Sequence, residues 1–250
     1  PIVSLGETAE NVADNYKICR SEQDEFSLQS QERAINAINA GKFNDEIIEI
    51  SISQRKGDTI IFDTDEYPRY RQENGRLILN TSIEKLSELK PAFRKGGTVT
   101  AGNSSGINDG AAAILMMSKE RAEELKLKPI AKWKGSAAAG VDPSMMGIGP
   151  VPSTNKLLNR LLLDINDIGL IEINEAFAAQ TIGVMKELEL NHKKVNVNGG
   201  AIALGHPLGC SGARIFTTLL HEMKRKDIRY GLATLCVGVG QGISTVVELM

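Results

Sequence analysis

The amino-terminal part of the chain places apolar residues at the spacing of amphipathic helices. Apolar positions recur every three or four residues from Thr8 to Cys19, which predicts a first helix. A second helix is predicted to begin near Ser21, where acidic residues follow, and to end at Gly41, a residue typical of helix C-caps. The alternation over residues 46–52 then predicts a short strand.

The stretch 54–95 is polar, and acidic and basic residues alternate along it. Two interpretations stay open: a solvated excursion, or a rim for an anionic ligand such as a nucleotide-bearing cofactor. The basic residues are Arg55, Lys56, Arg69, Arg71, Arg76, Arg94 and Lys95.

An apolar run at 111–117 follows a turn of small residues and predicts a buried strand. Ser118 is expected to cap a helix over 118–126. The remainder alternates regularly between strands and helices, which predicts a layered α/β sheet whose last two strands are antiparallel. The expected elements are strand 130–139, loop 140–152, helix 153–163, strand 168–173, helix 176–188, strand 194–197, helix 211–225 and strands 230–236 and 243–249.

Composition narrows the function classes. A formal net charge of −2 gives no global argument for binding nucleic acid or a membrane surface. Cys19, Cys210 and Cys236 are far apart and match no metal-binding pattern, so free thiols in a reducing compartment are expected. The longest apolar run is too short to cross a bilayer, and the sequence shows no signal peptide, so we expect a cytoplasmic protein.

Candidate chemistry concentrates in the glycine-rich stretch 198–214 and in the strand that follows it. His206 lies on a loop before a helix that Ser211 or Gly212 would cap, where the helix N-terminus favours negative charge. Taken alone, His206 is either a catalytic residue or a structural histidine. Cys236 ends an apolar strand beside a glycine turn and is either reactive or a small buried apolar residue.

Several motifs occur together, in the order and spacing found in one family. They are Asn-Glu-Ala-Phe-Ala at 174–178, Gly-His-Pro at 205–207, Cys-Val-Gly-Val-Gly at 236–240, Gly-Glu-Thr-Ala-Glu-Asn at 6–11 and Thr-Ala-Gly-Asn-Ser-Ser-Gly at 100–106. Through them the chain resembles the thiolases, the acetyl-CoA acetyltransferases and 3-ketoacyl-CoA thiolases, over essentially its whole length. The resemblance implies a layered αβαβα thiolase fold and acyl transfer through an acyl-cysteine, in a Claisen condensation of two acetyl-CoA molecules or in the reverse thiolysis.

The resemblance also implies catalytic roles. His206 resembles the histidine that activates the nucleophilic thiol and helps to hold a thioester oxygen. Cys236 resembles the cysteine that takes the α-proton of the acetyl group and returns it, and a thiolate there requires surroundings that lower its pKa. Asn174 resembles the residue that positions a water in one oxyanion site, and Gly238 resembles a backbone donor of the other.

Coenzyme A is expected as part of the substrate, with no tightly bound cofactor and no metal. Ser105 resembles the family's serine beside the pantetheine arm, and Arg69 a basic residue near the nucleotide. Phe93, Met146 and Phe177 resemble residues lining the acyl and pantetheine channel, although each is equally a candidate core residue.

The family's nucleophilic cysteine belongs to an amino-terminal segment that has no counterpart in this sequence. Cys19 and Cys210 are interpreted as structural. Because the sequence starts at Pro1, the missing amino-terminal part of the same polypeptide is expected upstream. Ser4-Leu5 and the long stretch 70–80 also depart from the family pattern, which weakens strict acetoacetyl-CoA specificity and the assignment of Arg69.

The domains expected from the resemblance are a partial loop domain at 1–106, a returning segment of the amino-terminal thiolase domain at 107–128, and the complete carboxy-terminal domain at 129–250. A homodimer or homotetramer acting in lipid metabolism is expected. The alternative function is a non-catalytic acyl-CoA-binding or scaffold protein derived from a thiolase.

Two other classes are disfavoured. A dinucleotide-binding module would need a helix after the turn that begins at Gly238, whereas an alternating strand follows it. In the related elongating ketoacyl synthases a second histidine faces the cysteine, at the position of Cys236.

Overall fold

The computed structural model describes residues 3–55 and 57–250, so Pro1, Ile2 and the basic residue Lys56 lie outside the described part of the chain. Helices and strands alternate through its second half. The helices are α1 Leu5–Asn15, α2 Arg20–Asn39, α3 Ile83–Ser87, α4 Lys119–Glu124, α5 Pro150–Leu161, α6 Ala178–Glu187, α7 Ala201–Leu204 and α8 Ser211–Lys226. The strands are β1 Ile50–Ile52, β2 Ile60–Phe62, β3 Tyr70–Glu73, β4 Arg76–Leu79, β5 Ala131–Gly140, β6 Leu170–Ile173, β7 Tyr230–Val237 and β8 Gln241–Leu249. Short 3-10 helices occupy Pro143–Ile148, Ile165–Asp167 and His192–Lys194.

A four-stranded sheet in the order β5-β8-β7-β6 forms the centre of the second half. Strands β6 and β7 are parallel, and Ile173 lies opposite Thr234. Strand β8 is antiparallel to both β7 and β5. The expected layered α/β sheet and the antiparallel pair at the end of the chain are therefore confirmed.

Alternate residues of the sheet face two different helical layers, as the period of two in a strand requires. One face packs against α5, α6 and α1, and the other packs against α8. The first face contributes Ile171, Ile173, Leu232 and Val246, which meet Leu157, Val184 and Val12. The second contributes Leu170, Ala233 and Val247, which meet Ile215, Leu219 and Met223 of α8.

Residues 111–117 do not form the buried strand that their sequence predicts. They have no regular secondary structure and are exposed, with Leu115 79% exposed, and they pair with no strand in the described part of the chain. A strand is stabilised only when a neighbour accepts and donates its backbone hydrogen bonds. The apolar run therefore has the sequence pattern of a strand, but no strand in the described part of the chain pairs with it.

The polar stretch after α2 contains two small antiparallel ribbons, β1 with β2 and β3 with β4. The predicted strand 46–52 is shortened to Ile50–Ile52. Asn74 and Gly75 both have positive φ at the turn between β3 and β4, which is the geometry of a type I′ hairpin turn.

Other element boundaries shift for identifiable reasons. The first helix begins at Leu5 rather than Thr8, because the Ser4 hydroxyl accepts the Glu7 N–H and caps it. Cys19, predicted inside a helix, is instead the N-cap of α2 and is exposed. The predicted loop 140–152 contains a 3-10 turn and the start of α5 at Pro150. The predicted strand 194–197 is reduced to one bridge between Ile171 and Val195.

Candidate active site

The loop that carries His206 approaches its neighbours at distances that only glycine permits. Gly205 has a φ of +93°, and a side chain there would meet Asn108 at 2.6 Å. A side chain at Gly200 would meet the carboxylate of Glu175 at 2.2 Å. The His206 N–H points to Gly106 O and to Asn108 Oδ1, each at 3.3 Å. The segment after Ser105 therefore fixes the backbone of the histidine.

The His206 ring is held at both of its nitrogens. Its Nε2 lies 3.3 Å from the Asn174 amide nitrogen, and its Nδ1 lies 2.5 Å from the Ser211 hydroxyl. Burial and the positive charge of Arg214 lower the pKa of His206 below its ordinary value. At neutral pH the imidazole is therefore uncharged and able to accept a proton.

Asn174 reaches this position because it directly follows β6. Its N–H donates to Thr234 O of the neighbouring strand at 3.0 Å, and its side chain is fully buried. The Asn174 Oδ1 is also buried and has no hydrogen-bond partner among the described protein atoms. A buried amide oxygen needs a donor, so this oxygen is suited to hold a water or a ligand group.

Cys236 lies near the end of β7, beside the strand that delivers Asn174, and is opposite Gly242 of β8. Its thiol is buried in an apolar cluster with Met146 and Phe177. This burial raises the pKa of Cys236 to about 12. The lowered pKa that a thiolate would require is therefore not found in this environment, and Cys236 is a neutral thiol that retains its proton.

Gly238 opens the tight turn between β7 and β8. Apart from Gly238 itself and its two chain neighbours, no described atom lies within 4 Å of the position that a side chain on Gly238 would occupy, so a ligand can approach its backbone closely. Gly240 and Gly242 are instead in tight contact with the 141–149 segment, since a Cβ would meet Val141 O at 2.5 Å in the first case and Gly149 backbone at 2.0 Å in the second. The turn is thereby fixed on one side and open on the other.

Two of the predicted coenzyme A residues lie beside the Cys236 cluster. The Ser105 N–H and hydroxyl both donate to Ala176 O, at 3.0 and 3.1 Å, next to Phe177. Phe93 meets Phe177 edge to face, with ring centroids 5.8 Å apart, and is 40% exposed. Ser105 and Phe93 therefore lie at the border of the buried cluster, whereas Met146 and Phe177 form part of its core.

Arg69 contacts the chain four residues before Ser105. Its guanidinium donates to Ala101 O at 3.1 Å, and its backbone N–H donates to the Gln31 side chain at 2.8 Å. Arg69 is thus hydrogen-bonded to the segment that contains Ser105. Neither Arg69 nor Ser105 forms a described hydrogen bond with His206.

Two grooves are lined by residues other than His206 and Asn174. One of about 490 Å³ runs between α2 and α6 and is lined by residues such as Phe26, Met185 and His192. The other, of about 780 Å³, lies between the 113–133 segment and α8 and is lined largely by apolar side chains. In the described ranges no group of His, Cys, Asp and Glu side chains has the arrangement of a metal site. None of the described helices is both long and apolar enough to cross a membrane.

Sequence reasoning did not identify Asn108 or the role of Ser211. Ser211 was expected to be a candidate helix cap, but Cys210 occupies the N-cap position and Ser211 is the first residue of α8. The spacing of five residues between His206 and Ser211, across a turn that contains Pro207, was the available signal. Asn108 gave no comparable signal, because its contact with His206 spans 98 residues.

Asn174 and Cys236 thus lie at the carboxyl ends of two neighbouring parallel strands in a layered α/β protein, and His206 contacts Asn174. Residues 2–120 match the family described as thiolase, N-terminal domain, and residues 127–249 match thiolase, C-terminal domain. The chain belongs to the thiolase family.

Individual relatives agree with the family match. The chain is 55% identical over 244 residues to an acetyl-CoA acetyltransferase of Chromobacterium violaceum, which covers 98% of this chain and 60% of the relative. Its fold matches the crystal structure of the Bacillus anthracis acetyl-CoA acetyltransferase with a TM-score of 0.94 and 48% identity, over 99% of this chain and 60% of that one. Human mitochondrial 3-ketoacyl-CoA thiolase in complex with CoA matches with a TM-score of 0.89 and 41% identity, over 99% and 59%. The chain therefore spans about 60% of the length of these relatives.

Proposed function

We propose that this chain forms the larger part of an enzyme that transfers acyl groups to and from coenzyme A, and that His206, Asn174 and Cys236 belong to its reaction centre. The observation that carries the proposal is the 3.3 Å contact between His206 Nε2 and the Asn174 amide, beside the strand that bears Cys236. The reaction is the condensation of two acetyl-CoA molecules or the reverse thiolysis of a 3-ketoacyl-CoA. The nucleophile is a cysteine of the family's amino-terminal segment.

The neutral His206 is suited to the first step. Its Nε2 takes the proton of the nucleophilic thiol, and the resulting Nε2–H then donates a hydrogen bond to a thioester oxygen. The Asn174 Oδ1, which is buried without a partner, holds a water that donates to the same oxygen. The Gly238 N–H serves a second oxyanion site, where the open space beside the glycine admits a thioester.

The high pKa of Cys236 suits a residue that carries a proton to carbon. During thiolysis the bond between the α- and β-carbons breaks, and its electron pair remains on the α-carbon of the departing acetyl-CoA. The Cys236 thiol donates its proton to that carbon and becomes a thiolate. The thiolate then takes the proton of the incoming coenzyme A thiol, whose sulfur attacks the acyl-cysteine. The acyl group passes to coenzyme A, and the released cysteine thiolate takes back its proton from His206, which restores the starting state.

The substrate is bound through its coenzyme A part. Ser105 and Phe93 border the pantetheine arm, and Arg69 lies near the nucleotide. Met146 and Phe177 shape the apolar wall next to Cys236. The support is the position of Ser105, Phe93, Met146 and Phe177 in or beside one buried cluster, the contact of Arg69 with the segment that contains Ser105, and the relative whose structure is a complex with CoA.

The same proposal includes domain boundaries at residues 106 and 128. It also includes a homodimer or homotetramer, a cytoplasmic location and a role in lipid metabolism. The match to the C-terminal thiolase domain from residue 127 supports the second boundary. The apolar groove next to α8 supports a covering of that face by the amino-terminal part of the polypeptide.

The test is made in the polypeptide that includes the amino-terminal thiolase segment. His206→Ala is expected to lower kcat for thiolysis by about 10²–10⁴-fold, as the loss of a general base does. His192→Ala is the matched control, because His192 stacks on Phe26 in the groove between α2 and α6. Normal activity of the His206 variant would contradict the proposal. Coenzyme A binding without turnover in the unaltered protein would favour the non-catalytic alternative.

A further inference from the structure

We infer that Ser211 is a positioning residue that keeps the His206 proton on Nδ1 and so leaves Nε2 as the basic nitrogen. The catalytic meaning of this arrangement rests on the function proposed above, but the proton position does not. Ser211 is fully buried, and its hydroxyl lies 2.5 Å from His206 Nδ1.

The hydroxyl of Ser211 has one proton, and a second contact accounts for it. Ser211 Oγ donates to Pro207 O at 3.0 Å. The same carbonyl accepts the N–H groups of Cys210 and Ser211, each at 2.8 Å, so it is fixed at the start of α8. Because the hydroxyl proton is directed to Pro207, the contact with the ring requires His206 Nδ1–H to donate and Ser211 Oγ to accept.

The other ring nitrogen leads to the same assignment independently. The Asn174 amide nitrogen is a donor and lies 3.3 Å from His206 Nε2. A proton on Nε2 would place two donors against each other, whereas an unprotonated Nε2 accepts the hydrogen bond. With the Asn174 amide in this orientation, the hydrogen bonds on the two sides of the ring agree on one tautomer.

A hydroxyl has a different effect from the carboxylate that orients many catalytic histidines. It orients the ring and selects the tautomer, but it adds no negative charge to hold an imidazolium. Arg214 adds a positive charge nearby, which also disfavours a lasting imidazolium. His206 can therefore accept a proton at Nε2 and release it again, as each half-reaction of acyl transfer requires.

The experiment is a nitrogen-detected NMR titration of the 250-residue chain, which has only three histidines, His192, His206 and His221. Ring nitrogens that carry a proton resonate far from those that do not. We expect His206 to show a protonated Nδ1 and an unprotonated Nε2 at pH values above its titration. A predominantly Nε2-protonated His206 in the unaltered chain would overturn the inference.

Two variants test the role of the hydroxyl. Ser211→Ala is expected to give a mixture of His206 tautomers, while Ser211→Thr, which keeps a hydroxyl, is expected to restore the Nδ1-protonated form. Unchanged signals of His192 and His221 show that the fold is retained. An unchanged His206 tautomer in a folded Ser211→Ala chain would contradict the inference.

Kinetics of the polypeptide that includes the amino-terminal segment add a second readout. Ser211→Ala is expected to lower kcat by about 10–10²-fold with little change in KM, and Ser211→Thr to recover most of the loss. If the tautomer is as inferred but His206→Ala retains activity, the proposed function fails while the role of Ser211 in fixing the proton stands.

Discussion

The Glu175 carboxylate and the Ser30 hydroxyl are 2.6 Å apart in the interior, although 145 residues separate them in the chain. Glu175 also accepts the Asn196 amide at 2.8 Å and the Ile202 N–H at 3.2 Å. It thereby connects α2, the turn at Asn196 and the start of α7. Because Glu175 directly follows Asn174, it links the two segments that bring Asn174 and His206 together.

We expect Glu175→Ala to lower the free energy of unfolding by about 3 kcal/mol or more, because three buried donors lose their acceptor. Urea denaturation measures the change. Glu32→Ala is the matched control, since Glu32 lies on the same helix as Ser30 but is exposed, and its effect should stay within about 0.5 kcal/mol. A loss of stability below about 1 kcal/mol for Glu175→Ala would refute the role of this carboxylate.

A buried carboxyl on β6 makes stability depend on pH. Burial raises the pKa of Glu172 to about 8, against the opposing charge of Arg214 and with the help of Glu175, Glu46 and Glu222. The folded chain therefore binds more protons than the unfolded chain between about pH 4.5 and 8. Stability is expected to fall as pH rises through this window, with a slope of at most about 1.4 kcal/mol per pH unit from this group.

Glu172→Gln removes that titration, so the variant should gain stability relative to the unaltered chain as pH rises from 5 to 8. Urea unfolding at several pH values measures the slope. Glu248→Gln is the control: hydrogen bonds from Lys134 and Arg229 lower the pKa of Glu248 to about 2, so this group stays ionised throughout the window. If the free energy of unfolding changes with pH in the same way for the unaltered chain and for Glu172→Gln, Glu172 does not titrate in this window.

Leu162 ends α5 in a left-handed conformation, with a φ of +54°, and is 93% exposed. We expect Leu162→Gly to stabilise the chain by about 1 kcal/mol, because glycine adopts this conformation without strain and little burial is lost. Leu125, which ends α4 with a φ of −83°, supplies the opposite case. Leu125→Gly should destabilise the chain by about 0.5–1 kcal/mol, and equal effects of the two substitutions would contradict the conformational argument.

The three cysteines should differ in reactivity. Cys19 is exposed, whereas Cys210 and Cys236 are buried and burial raises the pKa of each thiol. With iodoacetamide at pH 8, we expect Cys19 to be modified first and Cys236 to react only when the chain unfolds. Peptide mass mapping over time measures the order. Modification of Cys236 at the rate of Cys19 in the folded chain would show that its thiol is neither buried nor neutral.

The sequence was sufficient for those features that depend on local pattern and chain order. The alternation of strands and helices predicted the sheet, and the end of a predicted strand identified Cys236 as a candidate. Asn174 was identified through the resemblance of its motif to the thiolases. Contacts between distant segments were not predictable from pattern. The raised pKa of Cys236 depends on Met146 and Phe177, which come from other parts of the chain.

The predictions for residues 111–117 and for Ser211 were wrong for the same physical reason. In both cases the structure depends on contacts with residues outside the local sequence pattern. Residues 111–117 have the composition of a buried strand, but burial depends on a neighbour that no local pattern supplies. Serine is a residue type that commonly caps helices, but the Ser211 hydroxyl contacts the His206 ring instead.

The exposed run at 111–117 also bears on whether the chain stays monomeric in solution. An apolar stretch open to solvent is a surface through which polypeptides associate. Association through this stretch can therefore occur even while the four-stranded sheet remains intact. Covering the stretch removes this route without any change in the stability of the sheet.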